Sequence, residues 1–204
     1  MESPNDTSDL LADASYVEPA PPSPSRLPGL LREMVDTALL TAIIFLLVNA
    51  ATGRFKIESV SMQPNLREGE YVIVDRVSYR LGAPQRGDIV VFSIESETQD
   101  LIKRVIGLPG ETVEALDGVV RVDGRPLDEP YLASPAGSAY PAHRLGVDEY
   151  FVMGDNRGNS RDSRVFGPIH SDDIVGRAWI IYWPVANWGF VPRPVYATSD
   201  APER

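Results

Sequence analysis

Two serines stand one residue apart in ESVSMQPNL, residues 58–66, just after a long apolar run. A hydroxyl at such a place is either a turn former or a nucleophile. A hydrolytic nucleophile needs a base to take its proton and donors for the oxyanion that forms. The chain holds no cysteine, so thiol nucleophiles, thiolate metal ligands and disulfides are excluded. Its two histidines, His143 and His170, have no paired metal-ligand spacing and read as loop or surface residues. No metal or cofactor is implied. The G-x-S-x-G elbow of α/β-hydrolases is absent.

A lysine remains as base. It can act only when neutral, which requires burial among apolar groups or beside another cation. DLIKRVIGLPGE places Lys103 among Leu101, Ile102, Val105 and Ile106. In a strand, Lys103 shares a face with Leu101 and Val105. Burying its charge costs several kcal/mol. On pattern alone, a lysine snorkelling from an edge strand is the better reading.

The elements that must hold these residues can be read from the patterning. Residues 1–31 are rich in Pro, Ser and Ala, with five carboxylates against Arg26. They bury too little apolar surface to fold and read as a disordered acidic tail. MVDTALLTAIIFLLVNAAT, residues 34–52, carries only Asp36 as a charge. Nineteen residues reach roughly 28 Å as a helix, about a bilayer's hydrocarbon thickness. A buried soluble helix would show a polar face, and a signal peptide would follow a short basic start rather than a long acidic one. The segment is therefore assigned as a transmembrane helix over 32–53. Arg26 and Arg32 before it and Arg54 and Lys56 after it leave orientation open by charge.

Short strand-like runs follow at 71–77, 88–94, 119–124, 149–155 and 177–184, with Asp117-Gly118 and Asp123-Gly124 as hairpin turns. No long amphipathic helix interrupts them. The expectation is an all-β domain of many short strands, a sandwich or partly open barrel. The formal charge of −10 argues against nucleic acid as a partner.

Four blocks occur in order: SVSMQPNL, RGDIVVF, IKRVIGLPGE and GDNRGNSRDSRVFG. Together they resemble bacterial type I signal peptidase, a membrane-anchored Ser-Lys protease, from about Phe55 to Pro184 plus the preceding helix. The last block is the most specific. The resemblance implies Ser61 as nucleophile and Lys103 as general base. It implies Ser59 as an oxyanion donor beside the Ser61 backbone N–H, and Ser160 as a hydrogen-bond partner that orients the lysine. Asp155 with Arg104, and Asp162 with Arg164, become supporting ion pairs; as bare loop charges they would be solvated and worth little. Phe55, Ile57, Met62, Leu66 and Ile102 become the wall of the substrate pockets.

The implied domains are a catalytic β-domain over 54–110 and 150–192, a small cap over 111–149 and a flexible tail over 193–204. The implied partners are preprotein signal peptides and membrane lipid. The implied location is the cell membrane, single-pass, with a cytoplasmic N-terminus and the catalytic domain outside. Glu58, Asn65 and Leu101 depart from the common family pattern, none at a catalytic position. Two other classes bear comparison. A cytosolic self-cleaving Ser-Lys protease fits poorly with the apolar segment and acidic charge. A catalytically inactive, membrane-tethered β-domain that binds signal peptides fits poorly with Ser61, Lys103 and Ser160 all present. Of the aromatic residues near the C-terminal end, Trp179 and Trp183 are expected in the core, and Trp188 and Phe190 in a loop.

Overall fold

The computed structural model describes residues 27–134, 137–194 and 196. Most of the acidic tail, and the end of the C-terminal one, lie outside this range. The chain divides into two compact units, residues 1–43 and 44–204. In the described part, helix α1 runs over Leu27–Ala51. It starts inside the segment expected as tail and stops two residues before the expected end. Its stretch Gly29–Ala51 is long and apolar enough to cross a membrane, about 34 Å at 1.5 Å per residue. The hydroxyls of Thr41 and Thr52 bond back to the carbonyls of Thr37 and Val48, each at 2.8 Å. Both are thereby satisfied without water.

From Thr52 on the chain is mostly β. The strands are β1 (Thr52–Lys56), β2 (Tyr71–Asp75), β3 (Ile89–Phe92), β4 (Leu101–Gly107), β5 (Thr112–Leu116) and β6 (Val119–Val122). There follow β7 (Arg125–Pro126), β8 (Tyr140–Arg144), β9 (Glu149–Met153), β10 (Ile169–His170), β11 (Ile174–Trp183) and β12 (Gly189–Phe190). Two single-turn helices, α2 (Ser78–Leu81) and α3 (Ser163–Phe166), sit in connections. An open antiparallel sheet has the order β1-β2-β11-β3-β4-β9-β10, with β12 also on β11. A second sheet has the order β7-β6-β5-β8 and falls within the segment expected as the cap.

The hairpin signals sit where the backbone needs them. Asp117 and Gly118 have φ of 52° and 78°, and Asp123 and Gly124 have 50° and 77°. Two successive positive φ values suit the twist of a two-residue hairpin, and Asp-Gly tolerates them. These turns close β5–β6 and β6–β7.

Three apolar clusters hold the sheets. Ile57, Met62, Leu66, Val72, Val91, Ile102 and Ile181 lie in one. Val90, Phe92, Val105, Tyr150 and Val152 form another. The third gathers Ile106, Phe151 and Met153 of the large sheet with Val113 and Val120 of the small one and Leu145 just after β8. β4 contributes to all three, and after Leu101 every one of its residues is buried. It is an interior strand, so Lys103 cannot snorkel from a sheet edge.

Trp179 and Trp183 are not core residues: they are 42 % and 54 % exposed. β11 has register irregularities between Ala178 and Ile180 and between Ile181 and Trp183. The extra residues shift the alternation. Ala178 and Ile181 point inward and both tryptophans outward.

The two sheets meet closely at Gly107, where an added Cβ would come within 2.4 Å of Val113 Cγ2 and 2.8 Å of Leu145 Cδ1. Gly107→Val is expected to cost about 1–3 kcal/mol by overpacking. A thermal melt checks this, and an unchanged Tm would mean that the junction yields freely.

Candidate active site

The first serine block is a turn held at both ends. Gln63 N donates to Val60 O at 3.2 Å and Leu66 N to Met62 O at 3.0 Å. Buried Met62 and Leu66 anchor it to the first cluster. A second segment, 154–160, is stitched to it. Asn156 N donates to Ser61 O at 2.9 Å, and Asn156 Nδ2 to Val60 O at 3.2 Å. Lys103 arrives on β4, opposite Val90 of β3.

Three elements thus converge. Lys103 Nζ lies 2.9 Å from Ser61 Oγ and donates to Ile102 O at 2.8 Å. Ser59 Oγ lies 3.1 Å from Ser61 Oγ. Lys103 is 3 % and Ser61 5 % exposed, whereas Ser59 is open to solvent. Burial lowers the Lys103 pKa to about 8, against the opposing pull of the Asp162, Asp155 and Glu97 carboxylates. With that value about a tenth of the amines are neutral at pH 7. A neutral amine within hydrogen-bond reach of a hydroxyl can accept its proton.

The expected ion pairs form and are buried rather than solvated. Arg104 grips Asp155 with two parallel bonds, Nε to Oδ1 at 2.8 Å and Nη2 to Oδ2 at 2.7 Å. Its guanidinium also lies 4.1 Å from the centre of the Tyr131 ring. Arg164 grips Asp162 in the same way, at 2.8 and 2.7 Å. Asp162 also caps α3 and accepts from Gly154 N at 3.0 Å. Burial alone would raise the Asp162 pKa, but Arg164 and Gly154 N–H bring it below the usual carboxylate range.

Ser160 differs from expectation. Its buried hydroxyl makes no hydrogen bond of normal geometry and does not hold Lys103. It stands near enough to Asp162 to favour the charged carboxylate. The apolar residues behave more simply. Ile57, Met62, Leu66 and Ile102 are buried in one cluster, and Phe55 packs against it.

The family model described as "Signal peptidase, peptidase S26" matches residues 31–183. The chain belongs to the signal peptidase family. A probable signal peptidase I-1 from Synechocystis sp. is 40 % identical over 169 residues, covering 78 % of this chain and 86 % of the relative. Signal peptidase I from Leptolyngbya laminosa is 38 % identical over 197 residues, covering 87 % and 97 %. A crystal structure of a signal peptidase I from Enterococcus faecalis is 35 % identical with a TM-score of 0.43, covering 46 % of this chain and 95 % of that one. The protein is therefore a hydrolase that cleaves signal peptides. Its apolar helix is compatible with a single-pass membrane protein.

Further residues support the candidate site beyond those given a role by the resemblance. Arg157 is buried and paired with Glu129, which lies 28 residues away, and its Nε donates to Gly154 O at 3.1 Å. Asn65, a departure from the family pattern, donates to Asp155 Oδ2 and to Tyr131 O, each at 2.9 Å. It is therefore part of the support beneath the serine turn. Gly154 is the tightest point. An added Cβ would lie 2.2 Å from Ser160 Oγ and 2.6 Å from Ser61 O. Only the GD start of the fourth block marked it.

Gly154→Ala must push Ser160 or the Ser61 backbone aside, and a shift of about 1 Å at reacting groups can cost 10²-fold in rate. A loss of at least about tenfold in kcat is expected, with a smaller effect on KM. Steady-state kinetics on a preprotein check this, and wild-type kcat would show that the contact relaxes at no cost.

Proposed function

We propose that this signal peptidase cleaves by a Ser-Lys dyad. The distance of 2.9 Å between Lys103 Nζ and Ser61 Oγ, deep in an apolar setting, supports this most directly. Ser61 Oγ attacks the scissile carbonyl carbon while neutral Lys103 takes the hydroxyl proton. The oxyanion is held by the Ser61 backbone N–H and Ser59 Oγ. Lys103 then returns the proton to the departing amine, which is the new N-terminus of the mature protein. A water deprotonated by Lys103 hydrolyses the acyl-enzyme and frees Ser61. Asp155 with Arg104, and Asp162 with Arg164, hold the segment that presses against the serine turn. Ser160 contacts that segment at Gly154.

An extended substrate places alternate side chains on one side. Phe55, Ile57, Met62, Leu66 and Ile102 then form one apolar wall for the first and third residues before the cut. Their tight packing fits small side chains, as in Ala-x-Ala. In this reading the N-terminus is cytoplasmic and the β-domain lies outside, the orientation implied by the family resemblance. Trp188 and Phe190, each 73 % exposed, face lipid at the outer leaflet. The fact that β1 starts at Thr52, directly after Ala51, supports a domain held near the bilayer.

Ser61→Ala and Lys103→Ala are each expected to drop preprotein cleavage to near background without unfolding the domain. Ser59→Ala should lose about 3 kcal/mol of transition-state stabilisation. Substantial activity in Lys103→Ala would remove the lysine from the mechanism.

For pH, the sign follows from a cationic group whose folded pKa lies below its value of 10.5 when free. Charged Lys103 cannot accept a proton, so the rate should rise about tenfold per pH unit below about 8 and level off above it. A rate that kept rising toward 10.5 would contradict a buried base.

Replacing the substrate's Ala before the cut with Leu should nearly abolish turnover. Equal rates for the two would overturn the pocket assignment.

A further inference from the structure

A cavity of about 160 Å³ has neither Ser61 nor Lys103 in its lining. It opens between the chain entering β3 (Gly87–Ile89), part of β11 (Arg177–Trp179) and the segment Phe190–Arg193. Its volume is below the roughly 300–1,000 Å³ of sites for drug-sized ligands. It takes a single small group.

The lining carries two guanidiniums and one carboxylate. Arg193 Nε lies 3.2 Å from Asp88 Oδ1, and Arg193 Nη2 donates to Gln85 Oε1. Asp88 is 3 % exposed, and its other oxygen accepts from Tyr79 Oη and Gln85 N, both at 2.9 Å. That oxygen is satisfied from within the protein, while Oδ1 has the Arg193 charge beside it but no hydrogen bond among the described residues. Arg177 is different. Among the described residues, its Nε is buried without a hydrogen-bond partner, and its Nη2 lies 3.6 Å from Asp75 Oδ2. The Arg177 side chain is 28 % exposed, so the rest of its guanidinium is open to a ligand, and its fork matches phosphate oxygens.

The rim of the cavity is aromatic. Trp179 and Phe190 have ring centroids 6.3 Å apart and are 42 % and 73 % exposed. Trp183, Val185 and Trp188 lie near them in the chain and are also exposed. In a chain of formal charge −10, a cavity with net positive lining beside exposed tryptophans is a local exception. Indole rings sit at headgroup depth, where phosphates are at hand.

We propose that this cavity binds the phosphodiester of an anionic membrane phospholipid, with Arg177 and Arg193 on the phosphate and Trp179 and Phe190 beside the glycerol and upper acyl chain. This rests on the lipid-facing reading of Trp188 and Phe190 given above. It adds a defined headgroup site to what would otherwise be non-specific apolar contact.

The test uses the full chain in micelles doped with brominated phosphatidylglycerol or brominated phosphatidylcholine, with tryptophan quenching as readout. Wild type should reach half-maximal quenching at an at least fivefold lower fraction of phosphatidylglycerol than of phosphatidylcholine. Arg177→Gln with Arg193→Gln should abolish that preference and leave phosphatidylcholine quenching unchanged. Arg177→Lys, which keeps charge but loses the fork, should fall between. It also serves as the readout if the double variant melts early. Trp188→Ser with Phe190→Ser should weaken quenching by both lipids. Soluble glycerol phosphate should compete only weakly.

A double variant with the wild-type preference would overturn the headgroup site and leave the lipid-facing surface standing. Absence of quenching by either lipid in wild type would overturn both. Full competition by glycerol phosphate would assign the cavity to a soluble phosphate ester instead of lipid and overturn the proposal.

Discussion

A lysine amine in the middle of an interior strand is the constraint around which the rest of this molecule is arranged. Desolvation alone lowers its pKa, but three carboxylates, those of Asp162, Asp155 and Glu97, pull the other way. Left bare, they would hold the amine charged and useless as a base. Each has its own cation: Arg164 on Asp162, Arg104 on Asp155 and Arg161 on Glu97. The first two pairs are fully buried and bidentate, geometry in which a guanidinium outcompetes an ammonium. The arginines thus absorb negative charge that would otherwise fall on Lys103. Removing one partner of such a pair costs about 3–5 kcal/mol because it leaves the other charge stranded. The loop chemistry of residues 154–164 is therefore part of the lysine's environment, not an ornament of the surface.

The sheet order explains why distant blocks of sequence meet. β4 lies between β3 and β9, so Lys103, the GD segment after β9 and the turn after β1 can converge. The serine turn is closed by local hydrogen bonds but fixed in place by long-range ones. Asn156 bonds it from 90 or more residues away, and Asn65 bonds Asp155 across a similar span. A small second sheet docks through Ile106, Phe151 and Met153, and Glu129, from the connection between β7 and β8, reaches Arg157. That salt link ties the second sheet's segment to the loop beside the serine turn.

Much of this was legible in the residues, for reasons that can be stated. Asp117-Gly118 and Asp123-Gly124 declared their turns because few other pairs tolerate two successive positive φ values. The apolar helix declared itself by length. Lys103 did not declare its depth: an interior strand and an edge strand with a snorkelling lysine share one pattern, and the family likeness was needed to separate them. Trp179 and Trp183 were misread because two irregularities in β11 shift an alternation that no local signal marks. Gly154 and Glu129 were missed because their roles depend on three-dimensional closeness, to Ser160 and to Arg157. Asn65 was seen as a departure, but its tie to Asp155 could not be read from a one-dimensional pattern.

The charges around the dyad also differ in kind. Among the described residues, the cations paired around the site, Arg104, Arg157, Arg161 and Arg164, are arginines, whereas the proposed base is a lysine. Guanidiniums keep their proton throughout the range in which Lys103 gains or loses its own. On the proposed mechanism, mild acid silences the chemistry before it loosens the framework. This separates a throttle from a fuse. Activity can be turned down and recovered with the scaffold intact.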